Sequence, residues 1–302
     1  MSREARITVK NKDCWYYIHA QTGRDVAKGA LLKKGSGDIL MGLLEVYTKA
    51  SGCDIASVLI SKNEYAIVLK MPKFQILSKE VLLERAKILY CNNYTPYVLW
   101  NAKKWKAFNN SLFSIASIFR SVHRLLVAWQ TANIKTKQKF GWNDRFHSCV
   151  LLNEDAVLDA MLYLESGPIR EKSARDLISY PYSSFHLREK LKSNWILKVE
   201  GQLGLPKGAK GHDLYLQKLN HRANLPIKSS VIINDEIENG CAKGCNLERQ
   251  TSYIYGIVMG TEKEVYPWLK KGLIGRDKAW KTKPTKVTVG KQYVLCGCYS
   301  RT

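Results

Sequence analysis

The chain has 302 residues, with 48 Lys and Arg against 26 Asp and Glu, a formal charge of +22. Hydrophobic residues at 45% and aromatics at 10% exclude an acidic solvating protein and argue against disorder, and the length allows one large domain or two ordinary ones. The charge predicts a polyanionic partner, most simply nucleic acid; the bland alternative is an ordinary basic protein.

The excess divides evenly between residues 1–186 and 187–302, so this is not a neutral enzyme with a basic tail. No apolar run reaches transmembrane length, and Met1-Ser2-Arg3-Glu4-Ala5-Arg6 lacks the apolar core of a signal peptide. With eight thinly spread Cys, the expectation is a reduced cytoplasmic protein, nucleoid-associated in a bacterium, with no membrane partner.

In chain order, Cys14 to Ala20 is aromatic and β-branched, a strand pattern. Gly35-Ser36-Gly37-Asp38 opens a helix whose apolar face is Ile39, Leu40, Leu43, Leu44 and Tyr47, and Gly52 stops it. Asp54–Ile60 and Glu64–Leu69 are strands joined by the turn Ser61-Lys62-Asn63. Ser78–Tyr90 is a helix capped by Ser78. A long helix follows over Ser111 to about Ala132, then Glu154–Leu164 and a short helix at Ser173–Ile178.

Past Ser184 the chain is rich in Gly. Leu214–Leu219 reads as helix, Tyr253–Val258 as an apolar segment, Gly272–Lys286 as a loop bearing Lys and Trp, and Gln292–Cys296 as a strand. The order strand–helix–strand–strand–helix predicts an α+β, ferredoxin-like (RRM-like) antiparallel sheet with helices on one face. Its open face would be a platform for single-stranded nucleic acid. Residues 1–186 are expected to form that domain and residues 187–302 a basic C-terminal extension.

From Ala86 to Asn143 there is no Asp or Glu, while Lys103, Lys104, Lys106, Arg120, Arg124, Lys135, Lys137 and Lys139 are interleaved with Trp100, Trp105, Trp129 and Trp142. Without compensating carboxylates the positive potential persists, and exposed aromatics can stack on bases. Taken singly, each aromatic is a better candidate for the core. His123 and His147 read as phosphate contacts or packing residues.

The chain has no Walker loop, Rossmann fingerprint, GxSxG elbow or HExxH. Cys241, Cys245, Cys296 and Cys298 match no common zinc-knuckle spacing, so separate thiols are expected there rather than zinc.

One three-part stretch is more specific: Phe140-Gly141-Trp142-Asn143-Asp144-Arg145-Phe146, then Tyr163-Leu164-Glu165-Ser166-Gly167-Pro168-Ile169-Arg170, then Tyr180-Pro181-Tyr182-Ser183-Ser184. It resembles the REP-associated tyrosine transposases, single-tyrosine HUH enzymes with a Trp-x-x-Arg-Phe element, a Tyr-Ile-x-x-Asn-Pro-Val-Arg helix and a Pro-Trp-Ser-Ser segment. The resemblance covers about residues 14–186. It implies Tyr163 at the nucleophile position, where a phenol attacks a DNA phosphate and holds the strand as a phosphotyrosine. It also implies Trp142, Arg145 and Arg170 at the nucleic-acid site, and a divalent metal, Mg²⁺ or Mn²⁺, on the phosphate.

The family's two metal-binding histidines fall on Glu64 and Ala66, and its ligand Asn on Gly167. Ala66 and Gly167 offer no side-chain ligand, leaving Glu64, with His19 or Glu165 as replacements. The reading is therefore a binder of single-stranded or hairpin DNA, with structured RNA as a second candidate, whose metal-dependent cleavage is lost or impaired and which needs no cofactor. The alternatives are an active strand-transferase working through Tyr163, and an assembly component whose C-terminal half docks a protein through Trp268 and Trp280.

Overall fold

The computed structural model describes residues 7–23, 26, 28–33, 35–90, 96–134, 140–143, 145–223, 256–270, 285–286 and 292–296. Lys135, Lys137, Lys139, Trp280, Cys241, Cys245 and Cys298 lie outside the described residues.

Strand β1 (Cys14–Gln21), helix α1 (Ser36–Ser51), β2 (Asp54–Ile60) and β3 (Glu64–Met71) follow the sequence pattern closely. Helix α1 ends at Gly52, whose φ of 69° is left-handed and suits glycine. Next come α2 (Lys79–Tyr90), a 3₁₀ turn (Pro96–Leu99), α3 (Ala102–Leu112), α4 (Ile115–Asn133) and β4 (His147–Leu151). The long helix starts later than Ser111 because the Ser114 side chain accepts from the Ser117 N–H at 3.2 Å and caps it there. Among the described residues no single helix is long and apolar enough to cross a membrane; α3 and α4 pass that test only as a pair bent by 92°.

Helix α5 (Glu154–Arg170) is capped by Asn153, whose side chain accepts from the Ala156 N–H at 2.8 Å. It continues six residues beyond Leu164, with Pro168 inside it. Segment 173–178 is turn and bend rather than the short helix expected. Then come α6 (Ser184–Glu189), α7 (Ala209–Ala223), β5 (Gly256–Gly260), α8 (Glu262–Lys270), β6 (Thr285–Lys286) and β7 (Tyr293–Cys296).

The sheet has seven strands in the order β2-β3-β1-β4-β5-β7-β6. The first four make the ferredoxin-like arrangement, each antiparallel to its neighbour. Beyond them β5 joins β4 in parallel, Val150 opposite Val258, so strands from residues 256–296 extend the same sheet. The point after residue 186 falls inside α6.

Helices cover both faces, which corrects the expectation of one open face. Successive strand residues point to opposite sides. Tyr16, Ile18, Val58, Ile60, Ile67 and Leu69 pack with Leu40 and Leu44 of α1 and with Ile118, Phe119, Val122 and Leu126 of α4. Tyr17, Ala56, Ala66, Val68 and Cys149 pack with Val157, Ala160, Met161 and Leu164 of α5 and with Tyr215 and Leu219 of α7. Burial of a large apolar side chain contributes about 1.5–3 kcal/mol, so each helical layer is firmly held. A smaller aromatic core lies outside α1 and α4. There Leu82, Ala86, Tyr97, Phe108, Leu112 and Phe113 join the segment between β3 and α4 into a helical insertion.

Candidate functional site: a tyrosine pocket and a separate basic surface

On the α5 side of the sheet, Tyr17, His19, Leu59, Ser61, Glu64, Tyr65, Ala66, Tyr163, Leu164, Arg170 and Glu171 line one cavity of ≈ 20 Å³, room for about one water molecule. The strand register builds it. His19 lies directly opposite Ala66, which places Glu64 two residues along on the same face, a diagonal neighbour. The His19 Nε2 to Glu64 Oε2 distance is 3.1 Å. His19 is 5% exposed, and its buried Nδ1 has no hydrogen-bond partner among the described residues.

Tyr163 projects from α5 into this cavity, 7% exposed. Arg170 folds back along the helix: its Nη2 donates to the Tyr163 carbonyl at 2.7 Å, and its guanidinium carbon lies 4.0 Å from the centre of the Tyr163 ring. Pro168 has no N–H to give the turn before it, and Arg170 and the Ser166 hydroxyl both donate to the carbonyl next to the gap. Burial pushes the Tyr163 phenol pKa up, and the opposing charge of Arg170 does not restore it, so the phenol holds its proton at neutral pH. Glu171 is exposed as a residue, yet its carboxylate turns inward to accept from the Ser61 hydroxyl at 3.3 Å. That enclosure, together with the charge of Glu64, raises its pKa.

The two polar atoms of the His19–Glu64 pair have the spacing of adjacent ligands in an octahedral shell of roughly 2.1 Å radius. An imidazole–carboxylate pair suits Mn²⁺ better than Mg²⁺, which prefers oxygen. Ala66 and Gly167 add nothing, so a cation held here would keep most of its water. Among the described residues no group of three or more His, Cys, Asp or Glu side chains is arranged to hold a metal.

Glu165, a candidate replacement ligand, is turned away from the cavity. It is fully buried and accepts from Ser184 Oγ at 2.5 Å, Tyr215 OH at 2.5 Å and Arg188 at 3.0 and 3.1 Å. Two residues along a helix rotate a side chain by about 200°, which puts Glu165 opposite Tyr163. This network bonds α5 to α6 and α7. Arg222 of α7, 3.7 Å from Asp159, then sits with its guanidinium carbon 5.7 Å from the Tyr163 ring centre. Sequence reasoning missed Arg222, Glu171 and Ser61. For the strand side of the pocket the signals were the Tyr17–His19 alternation on β1 and the place of Glu64 and Ala66 in the resemblance.

The basic candidates lie elsewhere. Lys103, Lys104 and Lys106 on α3 and Arg120 and Arg124 on α4 are all exposed. Helix α4 packs on the face of the sheet opposite the tyrosine pocket. Arg145 is exposed beside β4. Trp142 is engaged in packing: it stacks on His123 at 4.0 Å between ring centres and meets Tyr65 and Phe140 edge-on. Its ring N–H is buried with no partner among the described residues. His123 Nε2 is 2.8 Å from the Tyr65 hydroxyl.

The fold and the pocket define an α+β protein with a ferredoxin-like sheet and a buried tyrosine and histidine converging with a half-buried glutamate beside an arginine. No protein-family model matches the chain, and a search of curated proteins finds no match. Among solved structures, a REP-associated tyrosine transposase bound to a REP hairpin is similar at 12% identity with a TM-score of 0.40, covering 62% of this chain and 84% of that one. That likeness is distant.

Proposed function

We propose that the protein binds nucleic acid, single-stranded or hairpin DNA first and structured RNA second, on a transposase-like platform whose metal-dependent cleavage is lost or impaired. The observation that carries binding is the set of exposed cations Lys103, Lys104, Lys106, Arg120 and Arg124, within a stretch with no carboxylate from Ala86 to Asn143. Impaired cleavage is supported by the ≈ 20 Å³ cavity, too small for a phosphodiester while Arg170 covers Tyr163, and by the missing side-chain ligands at Ala66 and Gly167.

The test is fluorescence anisotropy with a labelled DNA hairpin carrying a single-stranded tail. Affinity is expected to fall steeply, by about a hundredfold or more, between 50 and 200 mM salt. Absent or salt-insensitive binding overturns the proposal.

A second reading, an active DNA strand-transferase, is favoured by one observation: the His19–Glu64 pair lies in the same cavity as Tyr163. A divalent cation held by that pair would polarise a phosphate. Arg170 would have to swing off the phenol to admit one. Incubation with tailed hairpin DNA and Mn²⁺ decides between the readings. A protein–DNA adduct on a denaturing gel that disappears in Tyr163→Phe establishes the enzyme, and no adduct leaves the binder.

A further inference from the structure

The helical insertion between β3 and α4 carries, between α2 and α3, a 3₁₀ turn that places two aliphatic side chains in solvent, Val98 at 72% and Leu99 at 76% exposed. The turn is braced from beneath. Tyr97 is buried, Trp100 and Trp105 meet edge-on at 5.1 Å, and Phe108 packs 5.3 Å from Trp100. A rigid aromatic base under an exposed Val-Leu pair is an expensive way to display apolar surface to water, since each side chain could gain by burial.

Charge adjoins this exposed tip along the chain. Helix α3 begins three residues after Val98's neighbour, at an Asn101 cap that accepts from the Lys104 N–H at 3.0 Å, and its first turn holds no acid. Lys103 and Lys104 therefore stand at the positive end of the helix, where cations are disfavoured unless an anion joins them. Lys103, Lys104 and Lys106 are exposed and make no ion pair among the described residues. Tyr90, 42% exposed, lies 6.2 Å from Tyr97 and within electrostatic reach of Arg124 on α4. The exposed apolar pair is thus followed at once by the α3 lysines, and its aromatic base reaches Arg124 through Tyr90.

We propose that this tip is a nucleic-acid wedge: Val98 and Leu99 pack against an unpaired or terminal base while Lys103, Lys104 and Lys106 hold the flanking phosphates. The inference rests on the nucleic-acid-binding reading and deepens it, adding an apolar base contact beside the cations that carry it. Apolar wedges flanked by cations are a recurrent means of unstacking bases. A protein partner fits less well, because the centre of a protein interface is depleted in Lys and needs roughly 800 Å² per side. The wedge sits on a segment whose local carboxylates, Glu80 and Glu84, are confined to α2.

The full chain is tested with a tailed hairpin and a blunt hairpin. Val98→Ser with Leu99→Ser, at exposed positions that leave the core untouched, is expected to weaken tailed-hairpin binding about tenfold with an unchanged salt slope. Lys103→Gln with Lys104→Gln and Lys106→Gln is expected to lower the salt slope by about 2–3 on both probes. Wild-type binding that the serine pair leaves unaltered while the lysine changes still lower its salt slope overturns the wedge and leaves the binding reading intact. So does binding to phosphatidylserine vesicles that the serine pair abolishes while DNA binding is unaffected. A wild-type chain that binds neither hairpin overturns both.

Discussion

A Glu165→Ala change should cost about 3–5 kcal/mol in urea unfolding, because Arg188 would keep a buried charge with no carboxylate opposite it. Arg188 also donates to the Ala56 and Leu197 carbonyls, so it cannot swing out to water without giving up those bonds. Replacing Glu165 and Arg188 together by apolar residues should cost less than Glu165→Ala alone. The acid was visible in the sequence beside Tyr163, but its direction was not. Only the rotation of α5 against α6 and α7 decides that one carboxylate faces Arg188 while a tyrosine two residues earlier faces His19 and Glu64. His19 itself was legible, because alternation on β1 and the turn at Ser61-Lys62-Asn63 together fix which strand residues share a face.

At the scale of elements, α5 explains why position 167 holds a glycine. A Cβ at Gly167 would lie 2.7 Å from Leu59 Cδ2, so the helix sits close on β2 at that point. Gly167→Asn should destabilise by about 1–3 kcal/mol through overpacking, even though glycine is a poor helix residue. In a Leu59→Ala background the same change should cost less, and urea midpoints of the four proteins in that cycle check it. Strands β1 to β3 and helix α1 were legible because their apolar periods and glycine stops agree. The end of α5 was not, since Gly167-Pro168 reads as a stop, while Arg170 and Ser166 satisfy the carbonyl beside the gap. Helix α3 escaped notice because its Lys and Asn residues dilute the apolar face. Strand β4 did so because His147 and Ser148 open it.

Across the whole molecule, the two halves of the sequence share one sheet and the apolar layers on both of its faces. Removing residues 187–302 would delete Arg188 and Tyr215 from Glu165, strip α7 from α5, and uncover β4, which Val258 and Met259 meet at zero exposure. A chain ending at His186 should therefore be insoluble or lack a cooperative unfolding transition, whereas a freestanding domain would give a sharp one by circular dichroism. The even split of charge gave no hint of this, because charge reports partners and not packing. The parallel joint of β4 to β5 also sets an order in time. Leu151 must wait for its neighbour until the ribosome has made every residue up to Met259, and at about 5–20 residues per second that is a delay of several seconds. Through that interval the nascent sheet has a live edge, and the rate at which it closes, governed by long-range pairing rather than by any local helix, decides how much of the newly made protein escapes self-association.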